Sequence, residues 1–290
     1  MLTLLFDGVA YGMLLFVLSL GLAVTMGLMN FVNLAHGAFA MGGGYVLVLL
    51  MQRAGWPFLA CLPAAFAAMA LAGAMLERSL YRPMYGRPHL DQVLFSIGLT
   101  FMAVAAADWA MGASPVSLRT PAWLAGRSEF GSGAFTLGMG HYRLFVIALC
   151  LALALGLQVL LTHTRFGARL RAAVDDRRVA AGLGIPVDRI FLFTFACGSG
   201  LAGLGGALGV EILGLEPGFP FKVMAYVLIV CAVGGTRSIT GPLLAALLLG
   251  VADVMGKYHA PKLGAFVVYV LMIALLLWRP QGLFTRGAGR

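Results

Sequence analysis

Charge is what this sequence has least of. Only 11% of its 290 residues are Asp, Glu, Lys or Arg, and the acidic ones number 11. Soluble domains carry about 25% charged residues, so an ordinary water-facing surface is excluded. Metal-ligand spacing is also missing. Cys61, Cys150, Cys197 and Cys231 stand singly in apolar runs and read as buried small hydrophobes instead of disulfides or zinc ligands. The phosphate-binding pattern GxxxxGK followed by Ser or Thr does not occur. Gly256-Lys257 is followed by Tyr258 and has Val251 where the first glycine belongs, so the chain is not its own P-loop ATPase. Before the first apolar run, Gly8 to Leu28, there is no Lys or Arg, and no small-residue cleavage pattern follows. That run is expected to be a retained first span, not a cleaved signal peptide. A net charge of +9 invites a nucleic-acid partner, but the basic residues form no stripe with interleaved aromatics, which argues against one.

What the sequence has in abundance is hydrocarbon: 61% hydrophobic residues and a mean hydropathy of +0.95. The fold class is all-α, a polytopic transmembrane helical bundle forming one transmembrane domain over residues 1–290. A bilayer core of roughly 30 Å needs about 20 helical residues. Runs of that kind lie at 8–28, 30–51, 56–76, 91–111 and 142–161, followed by shorter glycine-interrupted ones at 190–210, 221–236, 240–256 and 263–279. This predicts nine membrane segments, or eight if one pair is re-entrant. Placing Arg78, Arg82, Arg87, the six arginines from Arg165 to Arg189, Arg237, Arg279, Arg286 and Arg290 inside leaves 13 basic residues cytoplasmic against 7 outside. By the positive-inside rule the N-terminus is then outside and the C-terminus cytoplasmic.

The second segment contains a broken helix near residues 28–45. Its uninterrupted apolar part, Ala38 to Met51, covers only about 21 Å at 1.5 Å per residue, so residues 30–37 must dip into the membrane. Asn30, Asn33, His36 and Gly37 occupy the dip, and Gly42, Gly43 and Gly44 follow it. Two readings stay open. The asparagines cap helix ends while His36 bonds a backbone carbonyl, or the freed backbone and polar side chains line a solute pathway, as discontinuous helices do in transporters.

Two further segments interrupt the apolar pattern. Residues 112–140, rich in Gly, Ser, Pro and Thr, predict an extracytoplasmic turn or hairpin, long enough to receive a partner protein. Residues 162–189 predict a cytoplasmic short helix stopped by Gly182, Gly184 and Pro186. Arg169, Arg171, Asp175, Asp176, Arg177 and Arg178 make its surface polar, while Leu170, Ala173, Val174 and Ala180 supply an apolar side. That pattern suits docking into a groove of another protein, or else a solvated arginine cluster that only sets topology. Farther on, Gly198, Ala202 and Gly206 recur every four residues, as do Gly205 and Gly209, the small-residue spacing of close helix packing.

At this point the residues resemble a family, the integral membrane permeases of ATP-driven branched-chain amino acid uptake systems, in particular the shorter of their two permease types. The likeness lies in NLAHG at Asn33 to Gly37 with GGGYV beyond it, RVAAGLGIPVDRIFLFTFACGSGLAGLGGAL from Arg178 to Leu208, AVGGTRSITGPLLAALLLG, and WRPQGLF from Trp278 to Phe284. The resemblance implies a bacterial inner-membrane pore of two permeases, as a heterodimer or homodimer. An extracytoplasmic solute-binding protein feeds the pore and two cytoplasmic ATPase subunits drive it. Those subunits use ATP and Mg, and this chain binds no cofactor. ABC permeases generally carry a coupling helix marked by Glu-Ala-Ala, three residues, then Gly. Here that spacing falls on Arg178, Val179, Ala180 and Gly184, with Arg where Glu is usual. Asp175, Asp176 and Arg177 lead into it. Two other departures bear on substrate: Ala38 stands where an acidic residue often follows His-Gly, and Arg237 where a glycine is usual.

The reading is therefore a transport subunit and not an enzyme, passing branched-chain or related hydrophobic amino acids along a path partly lined by Asn30, Asn33 and His36. Urea, short amides or aromatic acids are the alternative cargo. A proton- or sodium-coupled carrier is a rival class, since Asp108 and Asp253 are ionisable groups in spans. A serine hydrolase built on Ser199 lacks a base, because His141 and His163 are expected at the two membrane edges.

Overall fold

The computed structural model describes residues 1–29, 31–118, 120–130, 137–235, 238–279 and 282. Its elements in chain order are α1 (Leu2–Met29), α2 (His36–Gln52), α3 (Phe58–Leu76), α4 (His89–Met111), β1 (Arg127–Phe130), β2 (Leu137–Gly140), α5 (His141–His163), α6 (Arg165–Asp175), α7 (Arg177–Gly182), α8 (Val187–Leu213), α9 (Phe219–Gly234), α10 (Thr240–His259) and α11 (Gly264–Trp278). Every apolar run of the sequence holds a helix. Of these, α1, α3, α4, α5, α8 and α10 are long and apolar enough to cross a membrane, while α2, α9 and α11 are shorter. The third helix outruns its expected end. It continues from α3 through a π-helical turn, Glu77–Tyr81, and a 3-10 turn, Arg82–Met84, carrying Arg78 and Arg82 on helical backbone.

The helices divide into a centre and a rim. In α1 and α8, 83% and 72% of the spanning window is buried inside the protein, against 11% in α4 and 17% in α5. α1 packs against α5, α8, α9 and α10, and α8 packs against α1, α2 and α3. A helix apolar on all sides belongs in such a centre, and missing side chains bring its neighbours close. Gly206 sits directly on the backbone carbonyl of Ala40, and Gly43 on the backbone of Gly203, with no room for a Cβ at either crossing. In lipid, association rests on this kind of van der Waals contact, because hydrocarbon outside the helix is as apolar as hydrocarbon within.

The two ends of the bundle differ. At one end the antiparallel pair β1–β2, with Arg127 opposite Gly140, forms within the loop expected to hold a turn or hairpin. Gly138 N donates to Thr3 Oγ1 at 3.1 Å, which fastens this hairpin to the start of α1. At the other end lie α6 and α7. The single short helix expected there is two, because the Asp176 carboxylate accepts from the backbone N–H groups of Arg178 and Val179 at 2.8 and 2.9 Å. An Asp in that geometry caps a new helix instead of continuing the old one. Thr164 caps α6 in the same manner through Gly167 N. Gly167, Leu170 and Ala173 turn inward from α6 while Arg165, Arg169 and Arg171 stay exposed.

Candidate functional site

After Met29 the chain leaves the helix, and residues 31–35 carry backbone groups that no helix satisfies. Asn30 lies outside the described residues. His36, the first residue of α2, has its Nε2 2.9 Å from the carbonyl oxygen of Leu18, which lies eleven residues before the end of α1. Eleven residues of helix are about 16 Å, so residues 31–35 double back along α1 and α2 starts against its middle. The break is therefore set deep in the bundle, where an unpaired backbone group is costly.

Its partners come from α4. Val32 N donates to Gln92 Oε1 at 3.3 Å and Leu34 N to Ser96 Oγ at 3.1 Å. Thr100 Oγ1, which donates to Ser96 O, lies 3.4 Å from Leu34 O. Gln92 is held in turn by donating to Met84 O and Arg87 O. These three α4 residues were not singled out from the sequence. Their signal was present all the same: polar side chains at i, i+4 and i+8 on an otherwise apolar helix share one face.

Asn33 completes the joint. Its Oδ1 accepts from Ala35 N at 3.1 Å and from the Tyr81 hydroxyl at 3.0 Å. Around it Phe31 meets Tyr81 and Tyr85 edge-on at 5.4 and 5.6 Å, and Tyr81 packs on Phe195 at 4.6 Å. Asn33 and His36 are only 1% and 2% exposed, and neither lines the cavities found at the two ends of the bundle. Both side chains are taken up by bonds within the fold, Asn33 by Ala35 N and the Tyr81 hydroxyl and His36 by the carbonyl of Leu18.

The glycines named with them serve close packing. Gly37 abuts the backbone of Pro220, Gly43 that of Gly203, Gly42 the Met69 side chain and Gly44 those of Leu215 and Val210. On α8, Gly198 faces Gly21, Ala202 is fully buried, Gly206 meets Ala40, and Gly209 has only side-chain neighbours, Leu213 and Leu14 among them. The small-residue face of α8 thus joins α1 and α2 on either side of the break.

At the opposite end from the hairpin, charged side chains from three elements meet. Asp188, in the first turn of α8, receives Arg177 of α7 at 2.8 Å and Arg82 of the 3-10 turn. The Arg177 guanidinium lies 5.6 Å over the Phe191 ring. Tyr85, packed on Phe191, donates to Glu77 Oε1 at 3.0 Å. Burial, reinforced by the Glu77 carboxylate, pushes the Tyr85 phenol up, so it remains a donor at every physiological pH. Beside this cluster Asp175, Arg178 and Val179 are exposed, Ala180 is buried, and Val179 and Leu183 are open at 59% and 76%. Gly184, at φ +79°, closes α7. Its N–H bonds Ala181 O while Ile185 N bonds Ala180 O, the paired return that a left-handed glycine permits.

Tyr81 and Arg82 are neighbours, so one chain of contacts runs from Arg177 through Asp188, Arg82 and Tyr81 to Asn33. Sequence reasoning placed the two ends of that chain and missed its middle, which rests on the π-helical turn at the end of α3. π-helical insertions of this kind are frequent at functional positions.

The remaining sequence candidates lie elsewhere. Ser199 donates to Phe195 O at 2.9 Å inside α8, while His141 bonds Ser128 of the hairpin and His163 ends α5. Asp108 is exposed near the end of α4, and Asp253 is buried against Lys257. Arg237 falls outside the described residues.

Residues 4–276 match the family model described as branched-chain amino acid transport system, permease component. The chain is 28% identical to the high-affinity branched-chain amino acid transport system permease protein LivH of Escherichia coli K12, over 97% of this chain and 94% of that one. It is 27% identical to the corresponding BraD protein of Pseudomonas aeruginosa, over 97% and 95%. It also matches LivM of Escherichia coli K12, at 28% identity over 93% of this chain and 68% of that one. No solved structure matches it significantly.

Proposed function

Because this chain belongs to the family of branched-chain amino acid transport permeases, we propose that it is one permease subunit of an ATP-driven importer that carries branched-chain or related hydrophobic amino acids. The observation that carries this reading is the family match over residues 4–276, together with relatives named for that transport and covered almost end to end. Its likeness to both LivH and LivM supports a pore of two similar permeases, whether a second kind of chain or a second copy. The chain supplies the membrane path. ATP hydrolysis belongs to two partner ATPases that bind ATP and Mg, and solute is delivered by a binding protein on the far face.

In this reading all nine apolar helices are membrane segments, the hairpin end is extracytoplasmic with the N-terminus, and α6–α7 is cytoplasmic with the C-terminus. The distribution of arginines supports that orientation. The exposed surface of Arg178, Val179 and Leu183 is the docking edge for an ATPase, and Asp175, Asp176 and Gly184 shape it. Motion imposed on α7 reaches α8 and the end of α3 through Asp188, and reaches the break through Tyr81 and Asn33. The break then acts as a joint between α1 and α2. An importer of urea, short amides or aromatic acids is the second reading, favoured by Ala38 and Arg237 at positions where the family usually differs.

Reconstitution tests the proposal. Co-purified with its ATPases and binding protein in proteoliposomes, the chain should support L-leucine uptake and solute-stimulated ATP hydrolysis. Doubling the Arg177→Ala and Arg178→Ala substitutions should lower that stimulation at least tenfold without unfolding the bundle. Uptake driven by a proton or sodium gradient in the absence of ATP would overturn it.

A further inference from the structure

At the hairpin end of the bundle, five charged side chains converge on a cavity of about 300 Å3. Asp7 comes from α1, Arg143 from α5, Lys222 from α9, and Asp253 and Lys257 from α10. In a chain with only 11 acidic residues, this gathering from both ends of the sequence needs a cause. Ionisable groups among membrane helices face a watery cavity or one another, and they mark ligand or ion paths. Here they do both. Arg143 pairs with Asp7, and Lys257 Nζ lies 2.6 Å from an oxygen of Asp253, whose side chain is only 2% exposed. Tyr226 Oη is 3.5 Å from the other Asp253 oxygen, and the Lys257 ammonium sits 5.8 Å over the Tyr11 ring. The cations nevertheless remain open to the cavity, with Arg143 and Lys257 side chains 43% and 50% exposed. Leu15, Ile212, Val223 and Val254 make the rest of the wall apolar.

We propose that this cavity is a binding site for a free zwitterionic amino acid, held between the Asp7–Arg143 and Asp253–Lys257 pairs. The carboxylate of the ligand meets Arg143, Lys222 and Lys257, its ammonium meets Asp7, and its side chain lies on the apolar wall, while the buried Asp253 holds Lys257 in place. A zwitterion suits paired charges better than an ion does. Its carboxylate answers the one cation of the wall that has no carboxylate partner among the described residues while its ammonium faces Asp7, whereas a lone cation adds to a wall already positive by one and a lone anion offers nothing to the carboxylate side. Three cations against two carboxylates make the carboxylate end of the ligand the stronger anchor. The volume lies at the bottom of the roughly 300–1,000 Å3 range of small-molecule sites, which suits a ligand of leucine size. The inference rests on the importer reading and deepens it by placing recognition in this subunit, at the face that solute reaches first.

The test uses the full chain in lipid nanodiscs, with L-leucine followed by saturation-transfer NMR. L-leucine should bind, and 4-methylpentanoate and isopentylamine, which each carry one of its two charges, should fail to displace it at equal concentration. Lys257→Gln should weaken binding at least tenfold and Lys222→Gln by several fold. Lys222 makes no ion pair among the described residues, so its substitution leaves the fold intact if Lys257→Gln does not. L-leucine binding unchanged in both variants, equal displacement by the single-charge analogues, or no binding by the parent chain would each overturn the site. ATP-driven L-leucine uptake by the assembled transporter, measured in parallel, separates the two ideas. Uptake without binding here overturns the site alone, and failure of uptake overturns the importer reading.

Discussion

The joint between α1 and α2 and the cavity at the hairpin end are both polar islands among apolar helices, and they are built in opposite ways. In the joint the groups are neutral, and the side chains of Asn33, His36, Gln92 and Ser96 bond backbone atoms of their own chain. In the cavity the groups are charged, and the cations of Arg143 and Lys257 stay about half exposed. A polar side chain in a membrane helix thus has two distinct uses, to satisfy a backbone that left its helix or to leave a charge facing open space. The first stabilises a bend and the second prepares a place for a ligand. Hydropathy registers both as the same dip.

Substitutions sharpen that contrast, beginning with the packing that holds the joint in place. Gly206→Leu should have the largest effect, because its side chain would occupy the Ala40 backbone. Overpacking of an interior costs about 1–3 kcal/mol even where side chains can shift, and here the obstacle is main chain. Loss of a monodisperse peak in size-exclusion chromatography would check this. Gly209→Ala on the same helix meets only side chains and should melt close to the parent temperature.

Asn33→Leu comes next. It leaves the buried Tyr81 hydroxyl and Ala35 N–H without their acceptor, and each such group costs about 1–3 kcal/mol. A lowered thermal midpoint with L-leucine binding at the hairpin end retained would keep the joint and the cavity as separate functions. Loss of binding with no change in midpoint would merge them. Thr100→Val should be milder, about 1 kcal/mol for one lost hydrogen bond, with faster hydrogen exchange confined to residues 31–35. Asp188→Asn should be smallest in stability. Its partners Arg82 and Arg177 are half exposed, and such pairs contribute roughly 0–1 kcal/mol after solvent screening. Solute-stimulated ATP hydrolysis should nevertheless fall several fold, since this carboxylate ties α7 to α8 and to the end of α3. Hydrolysis equal to the parent would remove Asp188 from the coupling route.

Much of the fold was legible because hydrophobicity is a property of each residue and its run length sets a span. The break was also legible, from a helix too short for a bilayer. Other features depended on local competition that composition does not resolve. Asp176 has enough helical neighbours to be read as one helix, yet its carboxylate caps two backbone N–H groups and starts another. Arg78 and Arg82 suggest that the third helix has ended, yet the chain winds on through a π-helical turn that aims Tyr81 at Asn33 and Arg82 at Asp188. The partners of Asn33 and His36 were not legible in the sequence, because either residue type bonds a neighbouring backbone group or meets a solute equally well.

The sequence by itself determined the solvent of this protein, the positions of its helices, the site of the break and the family to which it belongs. These follow from composition and from order along the chain. Only the tertiary structure decided which polar groups are already occupied and which stay open. The partners of residues 32–34 lie about sixty positions away on α4, and Asp7 and Lys257 meet at one cavity from opposite ends of the sequence. A hydrogen bond or an ion pair depends on distance in space, and a chain does not specify that distance until its helices have packed.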